Sequence, residues 1–216
     1  ASRRGQVVHE PDRVVTGVLG RTGLGFDRGE VHPDLGQVEP GEGRPRRRGH
    51  DPTTGAFSTF IRRILEMGND MTGVTWDGPL VRMNYEITLE AMRLSGSDFF
   101  CGLTFPVDAN HCSLVLGGWG GTLCGLSNID YYDAANNETT QFVSFENGRW
   151  YHVRLRVTPG RIQAWLDKNE EEPLVDMDIT GRKIDTRIEM DLCQPMGIAT
   201  WQTSGAIRNI KLRRLE

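Results

Sequence analysis

The chain lacks most of the features that mark a specialised protein. It has no run of 18 apolar residues, so no membrane-spanning helix is expected. It has no CxxC pair, and its four cysteines, at 101, 112, 124 and 193, are too few for a disulfide scaffold. No phosphate loop, zinc signature or Ser-His-Asp order is present. Lysine is nearly missing, with three in 216 residues. A net charge of −4 argues against a general nucleic-acid binder. No apolar signal-peptide core is found, and the first residue is Ala1, which fits a processed product or a fragment. Buried free thiols are the simplest use of the cysteines.

The first 63 residues lack Trp, Tyr, Cys, Met, Asn and Lys altogether, yet hold 11 Arg, 11 Gly and 5 Pro. Apolar residues there come singly or in pairs, such as Val7-Val8 and Val14-Val15, and no period persists. Residues 40–49, PGEGRPRRRG, form a low-complexity basic run. The segment is expected to be disordered or irregular, or a reading frame translated out of register. Contact of the Arg run with a polyanion is the competing reading.

From residue 64 to 216 the pattern is different. Tyr85, Ile87, Leu89 and Ala91 alternate with Glu86, Thr88, Glu90 and Met92, which predicts a strand with one buried face. Phe99 to Phe105 is a dense apolar run, residues 106–110 read as a hairpin loop, and His111 to Trp119 returns. On that return strand His111, Ser113, Val115 and Trp119 share one face, while Cys112, Leu114 and Leu116 share the other. A hairpin symmetric about residues 106 and 107 would set Cys101 opposite Cys112, as a disulfide or as adjacent thiols. Trp150 to Thr158 and Arg161 to Asp167 form a second hairpin around Pro159-Gly160. Further strands are predicted at Leu174 to Ile179, Arg187 to Cys193, Gly197 to Thr203 and Ala206 to Leu215, with no long amphipathic helix. Many short strands with Gly- and Pro-rich turns predict an all-β fold, an antiparallel β-sandwich or barrel.

Three stretches carry a family resemblance. Residues 84–91 (NYEITLEA), residues 147–155 with 162–167 (NGRWYHVRL, IQAWLD), and residues 197–201 with 206–212 (GIATW, AIRNIKL) resemble the concanavalin-A-like jelly-roll superfamily of lectins, laminin-G-like domains and glucanases. Residues 97–105 (SDFFCGLTF) are similar to a planctomycete-type group near the 3-keto-disaccharide hydrolases. The resemblance implies a jelly-roll β-sandwich, a secreted or cell-surface location, and an oligosaccharide or polysaccharide partner. It also implies an acid on the sheet near Glu90, with His111 expected on an adjacent strand as base or metal ligand. Jelly-roll glucanases carry Glu-x-Asp-x-Glu on one strand face, for two carboxyls about 5–5.5 Å apart. Here Glu189-x-Asp191-x-Cys193 lacks the last acid, so that mechanism is not expected.

Sugar recognition needs less: exposed aromatic faces and planar polar groups. The lone Trp119 between glycine pairs, Trp201 with its neighbour Gln202, and Asp130-Tyr131-Tyr132 in a predicted loop are the candidate ligand-binding residues. Trp165 alternates with Ile162, Ala164 and Leu166 and is expected to point away from that core face. Asp176-x-Asp178 and Asn128-x-Asp130 offer oxygens suited to calcium, each short of a full ligand set. The leading expectation is a carbohydrate-recognising domain acting on glycosides or 3-keto-glycosides as a hydrolase or lyase. The alternatives are a non-catalytic carbohydrate-binding module and a laminin-G-like protein-interaction module.

Overall fold

The computed structural model describes residues 14–19, 50–51, 56–59, 63–68, 70–76, 78–167 and 171–216. Its strands are β1 (Val14–Leu19), β2 (His50–Asp51), β3 (Ala56–Thr59), β4 (Arg63–Leu65), β5 (Met71–Trp76), β6 (Tyr85–Gly96), β7 (Cys101–Val107), β8 (Asn110–Gly117), β9 (Leu123–Ser127), β10 (Gln141–Phe142), β11 (Tyr151–Thr158), β12 (Arg161–Leu166), β13 (Val175–Asp178), β14 (Gly197–Trp201) and β15 (Thr203–Arg214). Two antiparallel sheets form a sandwich. The first runs β1-β5-β14-β7-β8-β9-β10, and the second β13-β12-β11-β6-β15-β3-β2, with β4 also on β15. The all-β antiparallel sandwich expected from the sequence is therefore present.

Alternation builds the core. Tyr85, Ile87, Leu89 and Ala91 of β6 and Tyr151, Val153, Leu155 and Val157 of β11 point inward from the second sheet. They meet Cys101, Leu103, Phe105 and Val107 of β7 and Cys112, Leu114 and Leu116 of β8. Each large aliphatic or aromatic side chain so buried contributes about 1.5–3 kcal/mol relative to exposure. Tyr85 also crosses between sheets: its hydroxyl donates to the Pro106 carbonyl at 2.5 Å. Burial, reinforced by Cys112, pushes its phenol well above the ordinary tyrosine range.

Two local expectations are corrected. The β7–β8 hairpin turns at Asp108-Ala109, with Asp108 at φ 53°, so Pro106 and Val107 remain in the strand. The register then pairs Cys101 with Leu116 and Phe105 with Cys112, and Cys101 does not face Cys112. All four cysteines are buried free thiols, and burial first of all pushes each up to about 12, which leaves them poor nucleophiles. The second correction is at 187–193, where a 3-10 helix spans Ile188–Cys193 instead of a strand. Strand alternation would bury Ile188, Met190 and Leu192 together. Instead Met190 and Cys193, three apart and so on one side of a 3-10 turn, are buried, while Ile188 and Leu192 are 64% and 44% exposed. Glu189 and Asp191 consequently do not share a strand face.

Within the first 63 residues, β1 joins the edge of the first sheet, while β3 pairs with β15 and carries β2 at the edge of the second. The remainder, including the Arg run at 40–49, lies outside the described residues, and with it most of the expectation of disorder. The core residues of both central sheets begin at Leu65 among the described positions. A chain starting at residue 63 is accordingly expected to fold with a cooperative thermal transition. A shortened chain that shows no near-UV circular dichroism signal would place essential structure before that point.

Candidate functional site

The site is built on the outer face of the first sheet. Two pieces of chain cover parts of that face. Met190 and Cys193 of the 3-10 helix pack on Met71 and Ala199, against Phe99 and Trp201. Ala134 and Ala135, from the loop after β9, pack on Val115 and Leu123. Between the two covers lies a hollow of about 210 Å³. Val115, Ser127 and Met190 form part of its lining; Phe99, Trp119 and Trp201 supply rings, and Asp98, Arg187 and Glu189 supply charge. A second hollow of about 430 Å³ is lined by Asn128, Tyr131, Tyr132, Asp133, Asn136 and Arg187. Arg187 lines both.

Trp119 sits in the tight turn Gly118–Gly121 that follows β8, rather than on β8 itself. Its backbone is left-handed, at φ 48°, and the residue is 43% exposed. Neighbouring glycines make this turn feasible. Gly117 and Gly121 have φ of 78° and 101°, and a Cβ on Gly121 would come within 2.7 Å of the Arg93 guanidinium. A left-handed tryptophan stores about 1–3 kcal/mol of strain.

Asp98, from the turn between β6 and β7, lines the hollow. Its carboxylate accepts the backbone N–H of Phe99 at 2.7 Å and also that of Trp119. Burial raises its carboxyl above the ordinary aspartate value, outweighing those two hydrogen bonds. Trp201 is tied in by its backbone N–H to the Phe99 carbonyl at 3.0 Å, and the two rings lie 6.4 Å apart, tilted by 35°. Arg187 is held by Glu189, through contacts of 3.2 and 3.3 Å, and by Asp133 at 3.0 Å. Its guanidinium carbon lies 5.7 Å from the Trp119 ring centroid.

The tyrosine loop is fixed by Asn137. Its amide donates to the Leu126 and Asp133 carbonyls at 2.8 and 2.7 Å, and its side-chain oxygen accepts from Thr139. Tyr131 is 77% exposed, with the Lys183 ammonium 3.8 Å from its ring centroid. Asp130 accepts the Lys183 backbone N–H at 2.7 Å and the Arg182 guanidinium at 2.6 Å, which together hold its carboxyl below the usual range. Asp176 is likewise engaged by Arg161 at 2.5 Å. Among the described residues no group of three or more His, Cys, Asp or Glu is placed to hold a metal ion.

The sequence-predicted residues thus divide. Trp119 and Trp201 line one hollow and Tyr131 the other, with Asp130 engaged next to Tyr131. Gln202 is exposed at φ 41°, directly after β14, outside the lining of either hollow. Glu90 and His111 are not brought together, and they do not lie on adjacent strands. Glu90 is on the outer face of β6 in the second sheet, bound by Arg208 at 2.9 Å and by the Asn209 amide. The Arg208 hydrogen bond above all lowers its carboxyl. His111 is on β8 in the first sheet, opposite Pro106. Burial and the charge of Arg82 lower its imidazole, which favours the neutral ring. Trp165 does point away from the core face, but it is only 6% exposed, with the Arg154 guanidinium 3.9 Å from its ring centroid. Sequence reading missed Asp98, Phe99 and Arg187, because nothing in strand periodicity marks residues that reach the hollow from a turn or beside a 3-10 helix.

No protein-family model matches the chain, and no curated protein matches it. Among solved structures, it is similar to the exoplasmic/lumenal domain of VIP36 in its Ca2+/Man3GlcNAc-bound form. That match has 13% identity and a TM-score of 0.49, covering 76% of this chain and 85% of the other. The apo Crh5 transglycosylase matches at 10% identity and a TM-score of 0.49, over 94% and 88% of the two chains. A carbohydrate-binding module of family 66 from Bacillus subtilis matches at 10% identity and a TM-score of 0.43, over 76% and 90%.

Proposed function

We propose that the twin hollow on the first sheet recognises a carbohydrate chain, an oligosaccharide or polysaccharide outside the cell. The observation that carries this reading is Trp119. A large ring held half-exposed on a strained backbone contributes little to packing, whereas a flat exposed indole is what a sugar ring stacks on. Phe99 and Trp201 add apolar surface in the same hollow, and Asn128, Asn136 and the two tyrosines add hydrogen-bonding groups in the next. Recognition without chemistry is favoured, because Glu90 is committed to Arg208 on one sheet while His111 sits on the other.

Trp119→Asn is the decisive variant, since asparagine tolerates left-handed backbone and removes the ring. It is expected to melt at or slightly above the parent temperature. Affinity for whichever glycan a glycan array identifies is expected to fall roughly 30-fold or more, as for a binding hot spot. Unchanged affinity in this variant would remove the groove from the site. Glu90→Gln is expected to leave binding intact. Product analysis showing turnover of a glycoside or 3-keto-glycoside that Glu90→Gln abolishes would replace the binding module with an enzyme.

A further inference from the structure

The charges in the hollow point to one class of sugar. We infer that the hollow takes an amino sugar, with its ammonium seated beside Asp98 and against the Phe99 and Trp201 rings. This rests on the carbohydrate reading and narrows it.

Arg187 is the cation lining the hollow, and its charge is already met by Glu189 and Asp133. An anionic sugar would have to displace one of those carboxylates and would face Asp98 as well. Asp98 stands in the opposite position. It accepts only backbone N–H groups among the described hydrogen bonds, and no ion pair to it occurs among the described residues. Its charge is met by no cation of the chain among the described residues, so a ligand ammonium would be its first charged partner, worth more than a neutral sugar hydroxyl at the same place. The hollow is lined beside it by aromatic rings, the side chains on which ammonium groups settle. The Arg187 guanidinium already lies over Trp119, which leaves Phe99 and Trp201 as the rings for the ammonium and Trp119 for the apolar face of the sugar. The volume, about 210 Å³, falls below the roughly 300–1,000 Å³ of drug-sized pockets and suits a single ring.

The test is calorimetric titration of the full chain with three oligosaccharides of equal length. These are a glucosamine oligomer, its N-acetylated counterpart and a galacturonate oligomer, each at low and raised salt under mildly acidic conditions. The glucosamine oligomer is expected to bind about tenfold more tightly than the N-acetylated one, with a preference that shrinks as salt rises, and the uronate is expected not to bind. In Asp98→Asn, which keeps an oxygen for the two backbone N–H groups, the preference should vanish while N-acetylated binding persists. Lowering the pH through the raised range of Asp98 should erase the preference in the parent protein as well. Equal affinity for the two glucosamine forms, tightest binding of the uronate, or a preference that survives Asp98→Asn would each overturn the inference and leave carbohydrate recognition standing. If no glycan binds while a lysine-containing peptide does so through Asp98, both the inference and the carbohydrate reading fall.

Discussion

Glu86→Ala is expected to lower the stability of the domain by about 2–3 kcal/mol, or roughly 5–10 °C in melting temperature. Glu86 is buried on β6, although it lies on that strand's outer face. It survives there because Arg156 of β11 reaches it at 2.9 Å and Arg213 of β15 at 2.8 Å. Removing the carboxylate leaves two guanidiniums facing each other over a void. A fully buried pair broken on one side costs about 3–5 kcal/mol. The lower figure is expected here because the Arg156 and Arg213 side chains are 33% and 58% exposed, so water screens what remains. Glu86→Gln, which keeps one acceptor, should lose less.

The pH dependence follows from the same contacts. Burial alone would raise the Glu86 carboxyl, but the hydrogen bonds and charges of Arg213 and Arg156 outweigh it and leave the group below the ordinary glutamate value. A carboxyl lowered by folding contributes stability above its unfolded value, and that contribution disappears as pH falls through the folded value. Parent and Glu86→Ala melting temperatures should therefore converge in acid. A gap that persists at the lowest pH at which both chains fold would mean that packing, and not charge, sets the loss.

The second large effect separates two neighbouring phenylalanines. Phe100 is fully buried, with its ring 4.8 Å from that of Phe145 and 6.1 Å from that of Tyr151. Phe100→Ala should cost about 3–5 kcal/mol, a large share of the roughly 5–15 kcal/mol that holds a domain together. Phe99 turns the other way, toward Trp201 and the hollow. Phe99→Ala should keep a cooperative transition, with a smaller stability loss, and weaken glycan binding. Urea unfolding of the two variants, with binding measured on whichever remains folded, reads both outcomes. Equal destabilisation by the two substitutions would show that Phe99 serves the core rather than the hollow.

Most of the sandwich was legible from residue alternation. The clean alternation of β6 and β11 fixes which face is buried, and the Pro159-Gly160 turn fixes their neighbour β12. Alternation failed where another period fits the same residues. Ile188, Met190 and Leu192 read as a strand face, yet a 3-10 turn selects Met190 and Cys193. It also failed where a single turn residue shifted a register, as Asp108 does in the β7–β8 hairpin. The aromatic half of the site was legible because glycine pairs around Trp119 leave it no local cover. The charged half was not. Asp98 and Arg187 are 89 positions apart in sequence and line one hollow because the 3-10 helix folds across β14 and β5.

Arg187 touches both hollows and is immobilised by carboxylates belonging to each, Glu189 in the first and Asp133 in the second. On the proposed carbohydrate reading, a ligand of one unit occupies one side of this post. A longer chain must run past the guanidinium, and its second unit then binds without paying again for lost translational freedom. On that reading the site would act as a gauge of length: affinity should climb steeply when a chain first spans the post and stay level once both hollows are filled.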